Sequence, residues 1–297
     1  MNQKVSRRSA LRKLTGSTLA VAAAGAYGSR LVAAESAAAP EPKLKGRIHH
    51  SVCRWCYGSI GLEQLCAAAK EIGIQSIDLM EVKDFPTLKK YGLVCAMVSG
   101  VPGGIGSGLN RLENHERIVE FFEKTAPVVA EYGYPNIICF SGNRHGMSDE
   151  QGLENCAVGL KRITPIVEKH GVTACMELLN SKRNHPDYMC DHTAWGVKLC
   201  QAVGSDHFKL LYDIYHMQIM EGDLIATIRE NHQHLGHFHT GGVPGRGEID
   251  DTQETYYPAV MRAIVETGYK GFVAQEFVPT RPDPLKSLKE CVLICDV

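Results

Sequence analysis

Lys209-Leu210-Leu211-Tyr212-Asp213-Ile214-Tyr215-His216 is the stretch on which the fold is decided. A short apolar run that ends on a carboxylate reads as a buried β-strand whose last side chain is a hard anion. The same pattern recurs on both sides. Met176-Glu177 closes the run Thr173–Leu178, His237-Phe238-His239 closes Gly236–His239, and Ala274-Gln275-Glu276 closes Gly271–Glu276. Glu177, Asp213, His239 and Glu276 follow one another at intervals of 36, 26 and 37 residues. In a barrel of eight βα units and about 250 residues, one unit takes roughly 31, so these intervals are those of four consecutive strand ends on one barrel face.

Outward from these four runs the alternation continues. Further strands are expected at Ile48–Cys53, Ser76–Met80, Val94–Val98 and Asn136–Phe140. Helix-length segments lie between all eight: Gly61–Ile72, Pro86–Tyr91, Arg111–Tyr132, Glu150–His170, His192–Val203, Asp223–His232, Tyr257–Thr267 and Pro284–Asp296. Short continuous apolar strands separated by amphipathic helices indicate a parallel sheet covered on both faces. Eight such units in one chain favour a closed (β/α)₈ TIM barrel, a single domain over 46–297, above an open doubly wound sheet. Gly133, Gly171, Gly204, Gly236 and Gly268 precede strands where a helix C-cap glycine would sit. No GxGxxG follows any of the strands, which removes the main support for dinucleotide binding. The glycine-rich loop Ser99 to Asn110 falls on the face of the four acid and imidazole residues, as a mobile lid or a solvated turn.

The first residues have another character. Ser6-Arg7-Arg8-Ser9-Ala10-Leu11 precedes a weakly apolar stretch, Leu14 to Tyr27, and a small-residue exit at Val32-Ala33-Ala34. This resembles a twin-arginine export signal over 1–34, followed by a linker over 35–45, and implies a periplasmic mature chain. The stretch is too short and too interrupted for a membrane span, so no stable membrane insertion of the mature chain is expected. Removal of residues 1–34 takes away six basic side chains and no acid, which leaves 26 bases against 33 acids. Such a body lacks the basic footprint of a nucleic-acid binder. The composition admits a homo-oligomer.

All 11 cysteines lie beyond the signal, and several fall within apolar strands. They read as small buried core residues, and export of an already folded chain reconciles free thiols with an oxidising destination. Cys53-Arg54-Trp55-Cys56 is a CxxC, without the strand-to-helix setting of a thioredoxin-like redox pair.

Three carboxylates and one imidazole converging at a barrel mouth describe a site for one divalent metal. An oxygen-rich set suits Mn²⁺, Mg²⁺ or Co²⁺ better than a structural Zn²⁺ site. His237 and His239 alternate on one strand and face the same side; His239 lies nearer the carboxyl end and is the ligand, with His237 a supporting partner. His216 is placed to hydrogen-bond a substrate hydroxyl, and Lys182 and His185, just after Glu177, to meet an anionic group.

With these residues in view, the chain resembles the hydroxypyruvate isomerase branch of the xylose isomerase-like TIM barrels, whose members include ketose 3-epimerases and inosose-processing enzymes. The resemblance is carried by Lys209 to Gly222, by Gly236-His237-Phe238-His239 with Pro244-Gly245-Arg246-Gly247-Glu248-Ile249, and by Gly268-Tyr269-Lys270-Gly271 leading to Glu276. It implies that Glu177, Asp213, His239 and Glu276 hold one divalent metal, that Glu177 and Glu276 are the catalytic acid/base pair, and that His216 contacts substrate. The implied reaction is a metal-dependent aldose–ketose type isomerisation of a small hydroxy-carbonyl compound or sugar, with hydroxypyruvate giving tartronate semialdehyde through an enediolate. A ketose 3-epimerase or an inosose isomerase or dehydratase is the alternative, ahead of a metal-dependent hydrolase or a sugar-binding protein. Two departures mark this chain. The family's glutamate-proline-x-asparagine is here Glu177-Leu178-Leu179-Asn180, and the loop after His239 is short, with Arg246 as the basic residue available to contact substrate.

Overall fold

The computed structural model describes residues 43–297. The export signal expected over 1–34 and most of the expected linker lie outside the described residues. Seven strands form one parallel sheet: β1 (His49–Cys53), β2 (Ser76–Asp78), β3 (Asn136–Cys139), β4 (Thr173–Glu177), β5 (Phe208–Asp213), β6 (Leu235–Thr240) and β7 (Phe272–Gln275). Their order is β2-β1-β7-β6-β5-β4-β3. The expected strand Val94–Val98 stands in the eighth position, touching β2 through the bridge Ser76 to Val94 and β3 through Val98 to Ile137. The ring is thereby closed.

That eighth segment is not a regular strand, for a local reason. The Ala96 N–H donates to Ser76 Oγ at 2.8 Å, and Asn136 Nδ2 donates to the Ala96 carbonyl at 2.8 Å. Side chains of the two neighbours have taken the hydrogen bonds that a ladder would supply. Gly236 also departs from expectation. Gly133, Gly171, Gly204 and Gly268 end helices with positive φ as expected, whereas Gly236 lies inside β6. A Cβ there would stand 2.8 Å from Lys209 Cβ, so glycine serves the close approach of β5 and β6.

The helices are α1 (Leu62–Ile72), α2 (Phe85–Lys90), α3 (His115–Glu131), α4 (Asp149–His170), α5 (Thr193–Val203), α6 (Ile214–Met220), α7 (Leu224–Asn231), α8 (Tyr257–Glu266) and α9 (Pro284–Cys295). Each turns one apolar stripe to the sheet; α3 does so with Ile118, Phe122, Ala126 and Val129. The short α6 occupies what the sequence reads as a loop. It starts because Asp213 caps it, accepting the His216 N–H on Oδ1 at 3.1 Å. Inside the ring, Met97, Ile138, Cys175 and Leu211 form a separate apolar plug beneath the carboxyl-end face. All 11 cysteines are free. Among the described residues, no helix is long and apolar enough to cross a membrane.

Candidate metal centre

Glu177 is the last residue of β4, Asp213 the last of β5, His239 the penultimate residue of β6, and Glu276 directly follows β7. The parallel register sets Asp213 beside His239, and His239 beside Ala274. One ligand atom from each of the four converges, all within 4.8 Å of one another, and all four residues are buried. His239 Nδ1 lies 2.5 Å from Glu276 Oε2 and 3.4 Å from Glu177 Oε1. Neither His239 Nδ1 nor Glu276 Oε2 makes a hydrogen bond of proper geometry. These two buried atoms, unsatisfied by hydrogen-bond geometry and converging with the carboxylates of Glu177 and Asp213, make an oxygen-rich set with one imidazole that fits a divalent cation.

The other face of the His239 ring explains its orientation. Nε2 is 3.5 Å from Asp78 Oδ2 and 3.7 Å from Cys53 Sγ. Asp78, at the end of β2, also accepts from Ser51 Oγ at 2.6 Å and Ser76 Oγ at 3.1 Å, and its Oδ2 is 2.5 Å from His237 Nε2. A carboxylate on Nε2 keeps the proton there and leaves Nδ1 as the donor to a metal. His237 is thus a supporting partner through Asp78, as its alternation with His239 suggested. Burial acts to raise the Asp78 carboxyl and the two imidazoles outweigh it, holding it below the usual range.

Arg246 enters the same cluster. Its Nη2 is 2.9 Å from Asp213 Oδ2 and 2.6 Å from Glu276 Oε2, Nε donates to the Glu276 carbonyl at 3.0 Å, and Nη1 lies 2.6 Å from His216 Nε2. The guanidinium is sandwiched between Trp55, at 5.5 Å, and Tyr215, at 4.9 Å. Arg246 holds φ at 59°, a strained value that the loop bonds around it maintain. One guanidinium facing three carboxylates leaves an excess of negative charge. Burial, with Glu276 and Glu177 adding to it and Arg246 opposing, pushes Asp213 up to about 7. Burial likewise raises Glu177. Glu276 is lowered: burial works against this, and His239 and Arg246 prevail.

The remaining sequence candidates divide. His216 is buried at the site, with Nδ1 accepting the Asn180 N–H at 3.1 Å; burial first, then Arg246, lowers it, so it is a neutral imidazole. His185 lines the cavity with its ring 5.3 Å from His216. Lys182 is not there. Its Nζ donates to the carbonyls of Ile219 and Met220, at 3.1 and 2.7 Å, and so caps the C-terminal end of α6. Trp55, missed in the sequence, donates from Nε1 to Glu276 Oε1 at 2.6 Å. Burial pushes both thiols of the surrounding CxxC up, Cys53 well above its ordinary value, which disfavours the thiolate that redox exchange uses.

Above the cluster lies a cavity of about 550 Å³. The glycine-rich loop forms one wall with Ser99, Gly100, Val101, Gly104 and Ile105, and is tied down where the Leu109 and Asn110 N–H groups donate to the carbonyls of Phe140 and Ser141.

The profile of the xylose isomerase-like TIM barrel family matches residues 66–291. The chain belongs to that family. Within it, the chain is 34% identical over 109 residues to the 2-oxo-tetronate isomerase of Cupriavidus necator, covering 37% of this chain and 41% of that one. It is 31% identical over 148 residues to the hydroxypyruvate isomerase of Escherichia coli, covering 50% of this chain and 57% of the other. The chain spans about half the length of most of the curated relatives it matches. Among solved structures, an AP endonuclease of family 2 from Brucella melitensis superimposes with a TM-score of 0.72 at 22% identity, over 81% of this chain and 97% of that one, a likeness of fold.

Proposed function

We propose that this xylose isomerase-like barrel is a metal-dependent isomerase of the hydroxypyruvate isomerase type, moving a proton between adjacent carbons of an α-hydroxycarbonyl substrate. The observation that carries the reading is the pair Glu177 and Glu276 flanking the point on which His239 Nδ1 and Asp213 also converge. Simple binding needs no second carboxylate there. The relatives named above, isomerases of hydroxypyruvate and 2-oxo-tetronate, support the same reaction class.

Glu177, Asp213, His239 and Glu276 would hold the ion. A divalent ion bound there acidifies the C–H between a carbonyl and a hydroxyl oxygen and stabilises the enediolate that its loss creates. Glu177, which ends β4 beside the point of convergence, is the base that accepts this proton, and burial raises its proton affinity. Glu276 is held by the Trp55 N–H on Oε1, and this fixed carboxyl group delivers or withdraws the proton on the other side. His216 and Arg246, held against each other through Nε2 and Nη1, line the cavity on the substrate side of the carboxylates. For hydroxypyruvate the product is tartronate semialdehyde. A 3-epimerase would use the same pair with the proton returned to the opposite face of the same carbon.

We further read residues 1–34 as a twin-arginine signal and the mature chain as periplasmic, on the Arg7-Arg8 motif and the weakly apolar stretch that follows it. The test of the catalytic reading is proton NMR in D₂O with the purified full chain, Mn²⁺ or Mg²⁺, and hydroxypyruvate, ketoses and inososes. Metal-dependent deuterium uptake at the carbon beside the carbonyl is expected; uptake from none of them rejects it.

A further inference from the structure

The cavity above the carboxylates has two unlike halves. Its polar half is built from the ends of β4 to β7, with Glu177, His216, Arg246 and Glu276, and is extended by Asn184 and His185 in the loop after β4 and by Ser99 at the foot of the glycine-rich loop. The opposite half is apolar, with Leu79 after β2, Ile138 and Phe140 at the end of β3, Leu179 after β4, and Val101 and Ile105 on the glycine-rich loop. Leu79 holds φ at 61°, a conformation leucine adopts at a cost, and in it the side chain lines the cavity.

A three-carbon hydroxy-acid has seven non-hydrogen atoms. At no more than about 30 Å³ each, a water molecule's share of the liquid, it fills less than half of the cavity. Its reacting carbons belong at the carboxylates, so it makes no use of the apolar half. A ketohexose reaches beyond the carboxylates and sets its remote hydroxyls against the side chains of Leu79, Val101, Ile105, Ile138, Phe140 and Leu179, which offer no hydrogen bond, so hydroxyls pressed on them lose water without compensation. An aliphatic or aromatic group in the same place gains from leaving water.

The geometry points to a substrate class: an α-hydroxycarbonyl compound that carries an aliphatic or aromatic substituent beyond the reacting carbons. This rests on the proton-transfer reading above and narrows it. For an acyloin, the carbinol carbon gives up its proton, the electron pair forms the carbon–carbon double bond of the enediolate while the carbonyl π pair moves onto its oxygen, the hydroxyl proton passes to that oxygen, and the former carbonyl carbon takes a proton back. The carbonyl and hydroxyl exchange places with no oxidant or reductant consumed.

The test compares three compounds with the Mn²⁺-loaded full chain: 1-hydroxy-1-phenylpropan-2-one, hydroxypyruvate and D-fructose, each followed by deuterium uptake. The phenyl acyloin is expected to exchange with at least tenfold higher kcat/KM than either of the others, the scale on which apolar pockets discriminate. Phe140→Asn should narrow that ratio at least fivefold, and Ile105→Asn, on the loop, replaces it should the first variant not fold. Faster exchange of hydroxypyruvate or fructose overturns the substrate class and leaves proton transfer standing. Exchange of none of the three removes the proton-transfer reading and this inference with it.

Discussion

Asp78→Asn is the perturbation that separates a positioned metal ligand from an incidental one. The variant keeps the shape of the side chain and removes its charge. Asp78 Oδ2 stands 2.5 Å from His237 Nε2 and 3.5 Å from His239 Nε2, and Oδ1 takes two serine hydroxyls. With an amide in that place His239 loses the charged acceptor that keeps its proton on Nε2. The alternative tautomer puts the proton on Nδ1, the atom that faces Glu177 and Glu276. Loss of such a partner typically weakens metal binding 10- to 100-fold, about 1.4 to 2.8 kcal/mol. Calorimetric titration of the metal-stripped chain with Mn²⁺ reads this directly, and circular dichroism melting confirms that the variant is folded. A folded Asp78→Asn chain whose Mn²⁺ dissociation constant lies within threefold of the wild type would refute the reasoning.

Other outcomes follow from the same contacts. Glu276→Gln should abolish turnover while the far-ultraviolet spectrum and melting profile stay those of the wild type; wild-type turnover would take Glu276 out of the acid/base role. Trp55→Phe removes the donor on Glu276 Oε1 and should lower kcat by roughly tenfold, the scale of one bond that orients a catalytic group, with less change in KM. Glu248 accepts from Thr280 and Ser287 and ties the Arg246 loop to the start of α9; burial opposes its ionisation, and these bonds win, holding its carboxyl at about 2. Because the folded value lies below the unfolded one, near 4.5, the stabilisation is present above about pH 4.5 and is lost as the pH falls toward 2. Glu248→Gln should therefore cost about 2 kcal/mol by urea denaturation at pH 7 and much less at pH 3; an equal cost at both would contradict it. Gly108→Ala should destabilise the glycine-rich loop, because a Cβ there would press on the Phe140 carbonyl and the Gly142 nitrogen, and limited proteolysis of that loop measures the effect.

The four metal-type residues were legible because each is a polar side chain closing an apolar strand, and a parallel barrel brings all such ends to one face. Asp78 ends an equally buried strand, yet nothing in Ser76-Ile77-Asp78 tells a ligand-orienting carboxylate from an ordinary turn acid; only the fold brings it under His239. Trp55 was hidden inside a CxxC that drew attention to its cysteines. Lys182 misled in the opposite sense, since a basic residue just after a catalytic strand suits an anion as well as a helix terminus, and α6 was not foreseen in the sequence. Leu79, Phe140 and Leu179 read as continuations of buried strands. Their exposure to a cavity depends on how the glycine-rich loop crosses above them, which local sequence does not specify. The irregular eighth segment has a similar cause: Ser76 and Asn136, distant in sequence, take over hydrogen bonds of Ala96.

The proposed chemistry depends on one bound ion. Crystals of the chain grown with Mn²⁺ and measured at the manganese absorption edge locate it without reference to any assay. A single anomalous peak bounded by Glu177, Asp213, His239 Nδ1 and Glu276 is the predicted result; a chain that gives no peak there, or binds manganese only elsewhere, would contradict it.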